Sequence, residues 1–208
     1  TVDDVAEVLE EEATEDFERL GGSQPLDEPY LRASPLLLMR KRVAWLLILF
    51  FAQAYTGSVL SYFSSDLEAV IALALFIPML TGIGGNVGSQ VVSTIIRAMA
   101  VGEVRFRDTF RILRKEFLAA IALGALLAVL TFGRALLLPD VGVDIGLTVA
   151  VAVSAIVVWA GVLGAVLPLT LRQLRVDPAV VSAPFITTLV DGTGLLIYFM
   201  AARIILGL

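Results

Sequence analysis

Five stretches without a charged side chain, residues 43–65, 69–96, 117–133, 145–171 and 178–190, constrain this chain more than any other feature. Each is longer or more apolar than a buried core element needs. Four approach or exceed the ~20 residues that carry a helix across the hydrocarbon of a bilayer. With 58% of its 208 residues hydrophobic, 17% charged and a mean hydropathy of +0.91, the chain has too little polar surface for a water-soluble globule. It reads as an all-α, polytopic membrane protein.

There is no cysteine and no histidine. Neither a disulfide framework nor an imidazole or thiolate metal site is therefore available, and any metal chemistry must use oxygen ligands. The formal charge of −5 divides unevenly: residues 1–34 carry 11 acids against Arg19 and Arg32, whereas residues 35–208 carry 13 bases against 9 acids. An acidic tail, 1–34, thus precedes a mildly basic membrane domain, 35–208. In the tail, Val2, Val5, Leu9, Phe17 and Leu20 recur among acids as on an amphipathic helix that ends at Gly21-Gly22. This segment is acidic and begins without Met, so it is no secretory signal and the chain reads as a piece of a longer protein. Residues 21–38, with Pro25 and Pro35, read as a linker.

The spans are expected at about 43–60, 67–96, 117–137, 145–171 and 182–205. Trp45 lies at the interfacial end of the first, where amphipathic aromatics are enriched. In the second, Pro78 and the glycines at 82, 84, 85 and 88 predict a broken backbone, which survives at membrane depth only where protein or water satisfies it. Arg40, Lys41 and Arg42 precede span 1. Six bases from Arg97 to Lys115 separate spans 2 and 3, and Arg172 and Arg175 separate spans 4 and 5. These connections are expected on the cytoplasmic side, with the N-terminus inside and the C-terminus outside.

Asp191 is the carboxylate inside a span, about 10 Å along the helix from Pro184 at 1.5 Å per residue. A charge there is costly and by default faces a hydrated path or a partner. In span 2, Asn86, Gln90 and Thr94 share one face, with Ser89 and Ser93 in a neighbouring stripe. The same segment also admits a packing reading, because Gly84 and Gly88 form a small-xxx-small pair. As a nucleotide loop the glycines are weak: no strand precedes them and no Lys-Ser/Thr follows. A carboxylate beside carbonyls and amides, without a basic counter-ion, makes an oxygen-lined negative site suited to a hard cation. Mg²⁺ dehydrates reluctantly and keeps its waters, so one Asp among carbonyl oxygens suits a hydrated ion; Ca²⁺, Mn²⁺ and protons fit the same logic. No covalent chemistry is expected, so the chain does not read as an enzyme.

The run Pro78-Met79-Leu80-Thr81-Gly82-Ile83-Gly84-Gly85-Asn86-Val87-Gly88-Ser89-Gln90, followed by Arg97, resembles the MgtE family of magnesium channels, which is related to the solute carrier 41 transporters. So does the stretch from Asp177-Pro178-Ala179 through Ser182, Pro184, Thr188, Asp191 and Gly194 to Tyr198. The resemblance covers nearly the whole chain. It implies a homodimer of five-helix subunits in the cell membrane, with a pore on the two-fold axis lined by spans 2 and 5. Asp191 matches the selectivity carboxylate. Gly82, Gly85 and Thr187 would present carbonyls to hydrated Mg²⁺, the transported ion, while Ser89 and Ser93 occupy pore-side positions that can be Asn and Thr in relatives. Asp177 and Ala183 match positions at the cytoplasmic mouth, where Asp177 would attract cations. Glu12, Glu15 and Asp16 align with an acidic set that binds Mg²⁺ and closes the channel. The implied function is passive Mg²⁺ entry. A Na⁺- or H⁺-coupled Mg²⁺ transporter and a non-conducting assembly or sensor subunit are the alternatives.

Overall fold

The computed structural model describes Val8 and residues 14–139, 141–178 and 181–208. Among these the regular structure is helical throughout, with five long helices: α1 (Pro35–Tyr62), α2 (Ile77–Ala100), α3 (Thr109–Leu136), α4 (Val143–Gln173) and α5 (Ala183–Leu206). All five are long and apolar enough to cross a membrane.

The local chemistry explains two of the helix starts. Ser34 caps α1 by accepting a hydrogen bond from the Leu37 amide, and Pro35 sits in the first turn, where its missing N–H costs nothing. Ser182 caps α5 in the same way through the Phe185 amide, with Pro184 in the first turn. α5 ends at Gly207, whose φ of 72° supplies the left-handed residue common at helix ends.

Two expectations need correction. α1 begins at Pro35, so Arg40, Lys41 and Arg42 lie inside the helix rather than before it. Long cationic side chains run along a helix while their heads reach water, so charge does not mark its start. The glycines of span 2 do not break the backbone either. A short helix, Ser64–Ala69, is followed by extended Val70 and a 3₁₀ turn, Ile71–Phe76, after which α2 runs unbroken through every glycine. The break lies upstream because Pro78 lacks an N–H and blocks an α-helix arriving from before it.

α4 is the centre of the bundle, packing against α2, α3 and α5. Val149, Ala152, Val153, Ile156, Val157 and Ala160 on it are buried. α1 and α3 turn Leu46, Phe50, Phe51, Leu118, Val129 and Leu130 outward. Such an apolar exterior suits lipid, not water. The start of α1 and the ends of α2 and α4 share one end of the bundle with the start of α5. There the Arg172 guanidinium donates to the Met99 carbonyl at 3.3 Å and the Trp45 indole donates to the Ser182 hydroxyl at 2.9 Å.

Candidate functional site: the polar face between α2 and α5

Between lipid-embedded helices the hydrophobic effect contributes little, and close approach over small residues does the packing instead. A Cβ on Gly84 would sit 2.7 Å from Ile156 Cγ2 and 2.8 Å from Val190 Cγ1, and one on Gly88 would sit 2.6 Å from Ile186 Cγ2. The small-xxx-small pair therefore seats α2 against α4 and α5. A Cβ on Gly85 would lie 2.8 Å from Thr187 Cγ2, so Gly85 marks the α2–α5 contact itself. Gly82 differs: it is exposed, and nothing lies within 4 Å of where its Cβ would be.

From Gly82 a line of small and polar residues continues down α2 through Asn86, Ser89 and Ser93, at spacings of four, three and four that share one helical face. Gly82, Asn86 and Ser93 are exposed and Ser89 is half-buried. On α5, Ala183, Thr187 and Asp191 fall four residues apart, all partly exposed. The two lines meet at Ser89, whose hydroxyl donates to the Ala183 carbonyl at 3.3 Å and lies 3.3 Å from the Thr187 hydroxyl. Thr187 in turn donates to the Ala183 carbonyl at 3.0 Å. Because α2 is continuous, the Gly82 and Gly85 carbonyls accept helical bonds; each keeps a second lone pair for a further donor or a cation.

Asp191 stands beyond this contact on α5. Its Oδ1 is buried without a hydrogen-bond partner among the described residues. An unpaired buried carboxylate oxygen costs free energy unless something else binds it. The other charges of the spanning face do not serve it: Arg203 is engaged by Asp66 at 2.8 Å.

Asp177 and the tail meet at the opposite end of the face. Residues 14–20 are helical, as expected, and turn at Gly21-Gly22. Arg19 donates to Asp177 at 2.8 Å and to Glu15 at 3.0 Å, so the carboxylate expected to attract cations is held by an arginine. A cleft of about 580 Å³ between the tail and the end of α2 is lined by Asp16, Phe17, Leu20, Ser93, Ile96 and Arg97. Glu12 lies outside the described residues. Among those described, no three carboxylates converge on a common point. The linker is pinned by Lys41, which bonds Asp27 at 2.7 Å and holds its carboxyl below the ordinary range through that hydrogen bond and its charge.

The structure thus brings together Gly82, Gly85, Asn86, Ser89, Ala183, Thr187 and Asp191 on adjoining faces of α2 and α5, with Ser93 further along toward the tail. It sets Asp177, Glu15 and Asp16 apart, at the tail. Sequence reasoning missed Arg19 as the partner of Asp177 and Asp66 as the partner of Arg203. Both pairs span more than 130 residues of chain, so no local spacing announces them.

A family model described as a divalent cation transporter, MgtE, matches residues 77–201, which hold both faces. The magnesium transporter MgtE of Thermus thermophilus is 46% identical over 99% of this chain and 45% of its own length. The Bacillus subtilis protein of the same name is 35% identical over 96% of this chain and 44% of its own length. That of Enterococcus faecalis is 33% identical, over 97% and 44%. The chain spans about half the length of these curated relatives.

Proposed function

The chain belongs to the MgtE family of divalent cation transporters, and from that premise we propose that it forms a homodimeric, Mg²⁺-selective pore along the joined faces of α2 and α5. The observation that carries this reading is Asp191, whose carboxylate oxygen within a spanning helix is buried and has no hydrogen-bond partner among the described residues, beside a face of glycine, hydroxyl and amide groups. A two-fold axis along that face would set two copies of Asp191 opposite one another. Like charges repel across such a gap until a divalent cation lies between them. Mg²⁺ would keep most of its water there. The Gly82, Gly85 and Thr187 carbonyls and the Asn86, Ser89 and Ser93 side chains would accept from that water, and charge would come from Asp191 alone. Ala183 contributes its carbonyl, already bonded to Ser89 and Thr187, and no side-chain ligand.

In this reading the chain lies in the cell membrane, and its basic end faces the cytoplasm, following the usual excess of Lys and Arg on that side, with the C-terminus outside. Asp177 lies at the cytoplasmic mouth, and Glu15 and Asp16 form part of a regulatory Mg²⁺ set with Glu12. Ions pass down their gradient without a second ion. The test is Mg²⁺ uptake by liposomes holding the purified chain, with a lumenal Mg²⁺ dye and no other gradient. Asp191→Ala and Asp191→Asn are expected to lower the initial rate at least tenfold. Uptake equal to wild type in both removes Asp191 from the path, and wild-type uptake that requires Na⁺ or a proton gradient replaces the pore with a coupled transporter.

A further inference from the structure

We propose that Arg203 and Asp66 are positioning residues: a clamp that fixes the entry to α2 against the end of α5 and so sets the width of the ion path at the end remote from the tail. The geometry stands by itself; the consequence for ion flow rests on the transport reading above.

The crossover between α1 and α2 is poorly held by its own secondary structure. It comprises one short helix, extended Val70 (φ −135°) and a 3₁₀ turn, whose hydrogen bonds are weaker than those of an α-helix. Besides the burial of Leu73 and Phe76 against the core, residues 198–203 of α5 hold it at three points. Asp66, 7% exposed, accepts from Arg203 Nε at 2.8 Å. The guanidinium lies over Phe63, 4.6 Å from the ring centroid, and Phe63 stacks on Phe199 at 4.7 Å and 12°. Further along the crossover the fully buried Tyr198 donates to the Leu73 carbonyl at 3.0 Å. The chain then enters α2 at Ile77, and the polar face begins little more than one turn later at Gly82. What holds the crossover therefore holds the first turn of that face relative to α5.

Stability alone is a poor account of the pair. Asp66 is buried but the Arg203 side chain stays 34% exposed, and a pair so open to solvent contributes about 1 kcal/mol or less, so it adds geometric definition more dependably than free energy. The aromatic seat sharpens that definition, because a planar guanidinium over a ring with one N–H aimed at a carboxylate fixes distance and direction together. The rival account is electrostatic: Asp66 only neutralises Arg203, so that cations nearing the path are not repelled.

The two accounts separate in Asp66→Asn, Arg203→Met and the double variant, each reconstituted in liposomes and compared with wild type. One readout is hydrogen exchange of amides 66–76, and the other is initial Mg²⁺ uptake against external Mg²⁺. With a clamp, exchange across 66–76 rises at least tenfold in all three while amides in the middle of α4 are unchanged. Saturating uptake falls about fivefold, the half-saturating concentration moves less than twofold, and the double variant is no better than either single. Uptake within twofold of wild type in the double variant or in Asp66→Asn overturns the clamp, as does wild-type exchange across 66–76. Should Arg203→Met fail to fold, Asp66→Asn decides by the same two readouts. If wild type takes up no Mg²⁺, the transport reading falls, and exchange still decides the clamp.

Discussion

The glycines of α2 are alike in sequence and unlike in place. Gly88 has Ile186 Cγ2 2.6 Å from where a Cβ would lie, whereas Gly82 has nothing within 4 Å. Gly88→Ala must push α5 away and is expected to cost about 1–3 kcal/mol as overpacking, lowering the melting temperature in detergent. Gly82→Ala gains helix propensity, roughly 1 kcal/mol at most, and its melting temperature is expected to be unchanged or higher. Thermal unfolding of the two variants side by side checks the contrast; equal losses would mean that Gly82 also packs. The sequence carried both roles in one string, GIGGNVGS, and spacing alone could not assign them. It did single out Asp191, since an acid in an apolar run has few uses. It could not show that Asp177 meets Arg19, because that contact is made by folding rather than by neighbourhood.

At the level of elements, the five spans were legible because uninterrupted apolar length is a coarse signal that survives local detail. Their edges were not. Three basic residues hid the start of α1, and the proline and glycines of span 2 pointed to a break that lies upstream, at Val70 and the 3₁₀ turn. The start of α5 is better defined than any edge the sequence offered. The Ser182 hydroxyl accepts from both the Phe185 amide and the Trp45 indole, which ties the helix cap to α1. Loss of such a cap costs about 0.5–2 kcal/mol, and Ser182→Ala also strands a half-buried indole N–H. Ser182→Ala and Trp45→Phe are therefore expected to be less than additive in unfolding free energy, with a coupling of about 0.5–1.5 kcal/mol. Strict additivity in the double-mutant cycle would separate the cap from α1.

For the molecule as a whole, the polar face of α2 is open to the outside at Gly82 and Asn86, which a single subunit in lipid would leave against acyl chains. In the proposed homodimer a second copy would remove that conflict. Because the chain has no cysteine, Asn86→Cys places one thiol on this face. A short thiol-to-thiol reagent is expected to yield covalent dimers from it in native membranes, and none from Leu118→Cys on the exposed side of α3. Monomer alone from both would rule out a two-fold axis at this face. The acidic tail's charge set it off in the sequence, but its seat on the bundle was not legible there, since the Arg19–Asp177 pair and the packing of Leu20 on the core join residues far apart in the chain.

That seat has a practical consequence. The Arg19–Asp177 pair is about two-fifths exposed on both sides, and pairs of this kind contribute about 1 kcal/mol or less and weaken as added electrolyte screens them. A difference of that size changes an occupancy by roughly fivefold. Raising the ionic strength of the extraction or assay buffer is therefore expected to loosen this one tie of the tail, while the packing of Leu20 on the core and the backbone bond from Gln24 to the Lys41 carbonyl are left in place.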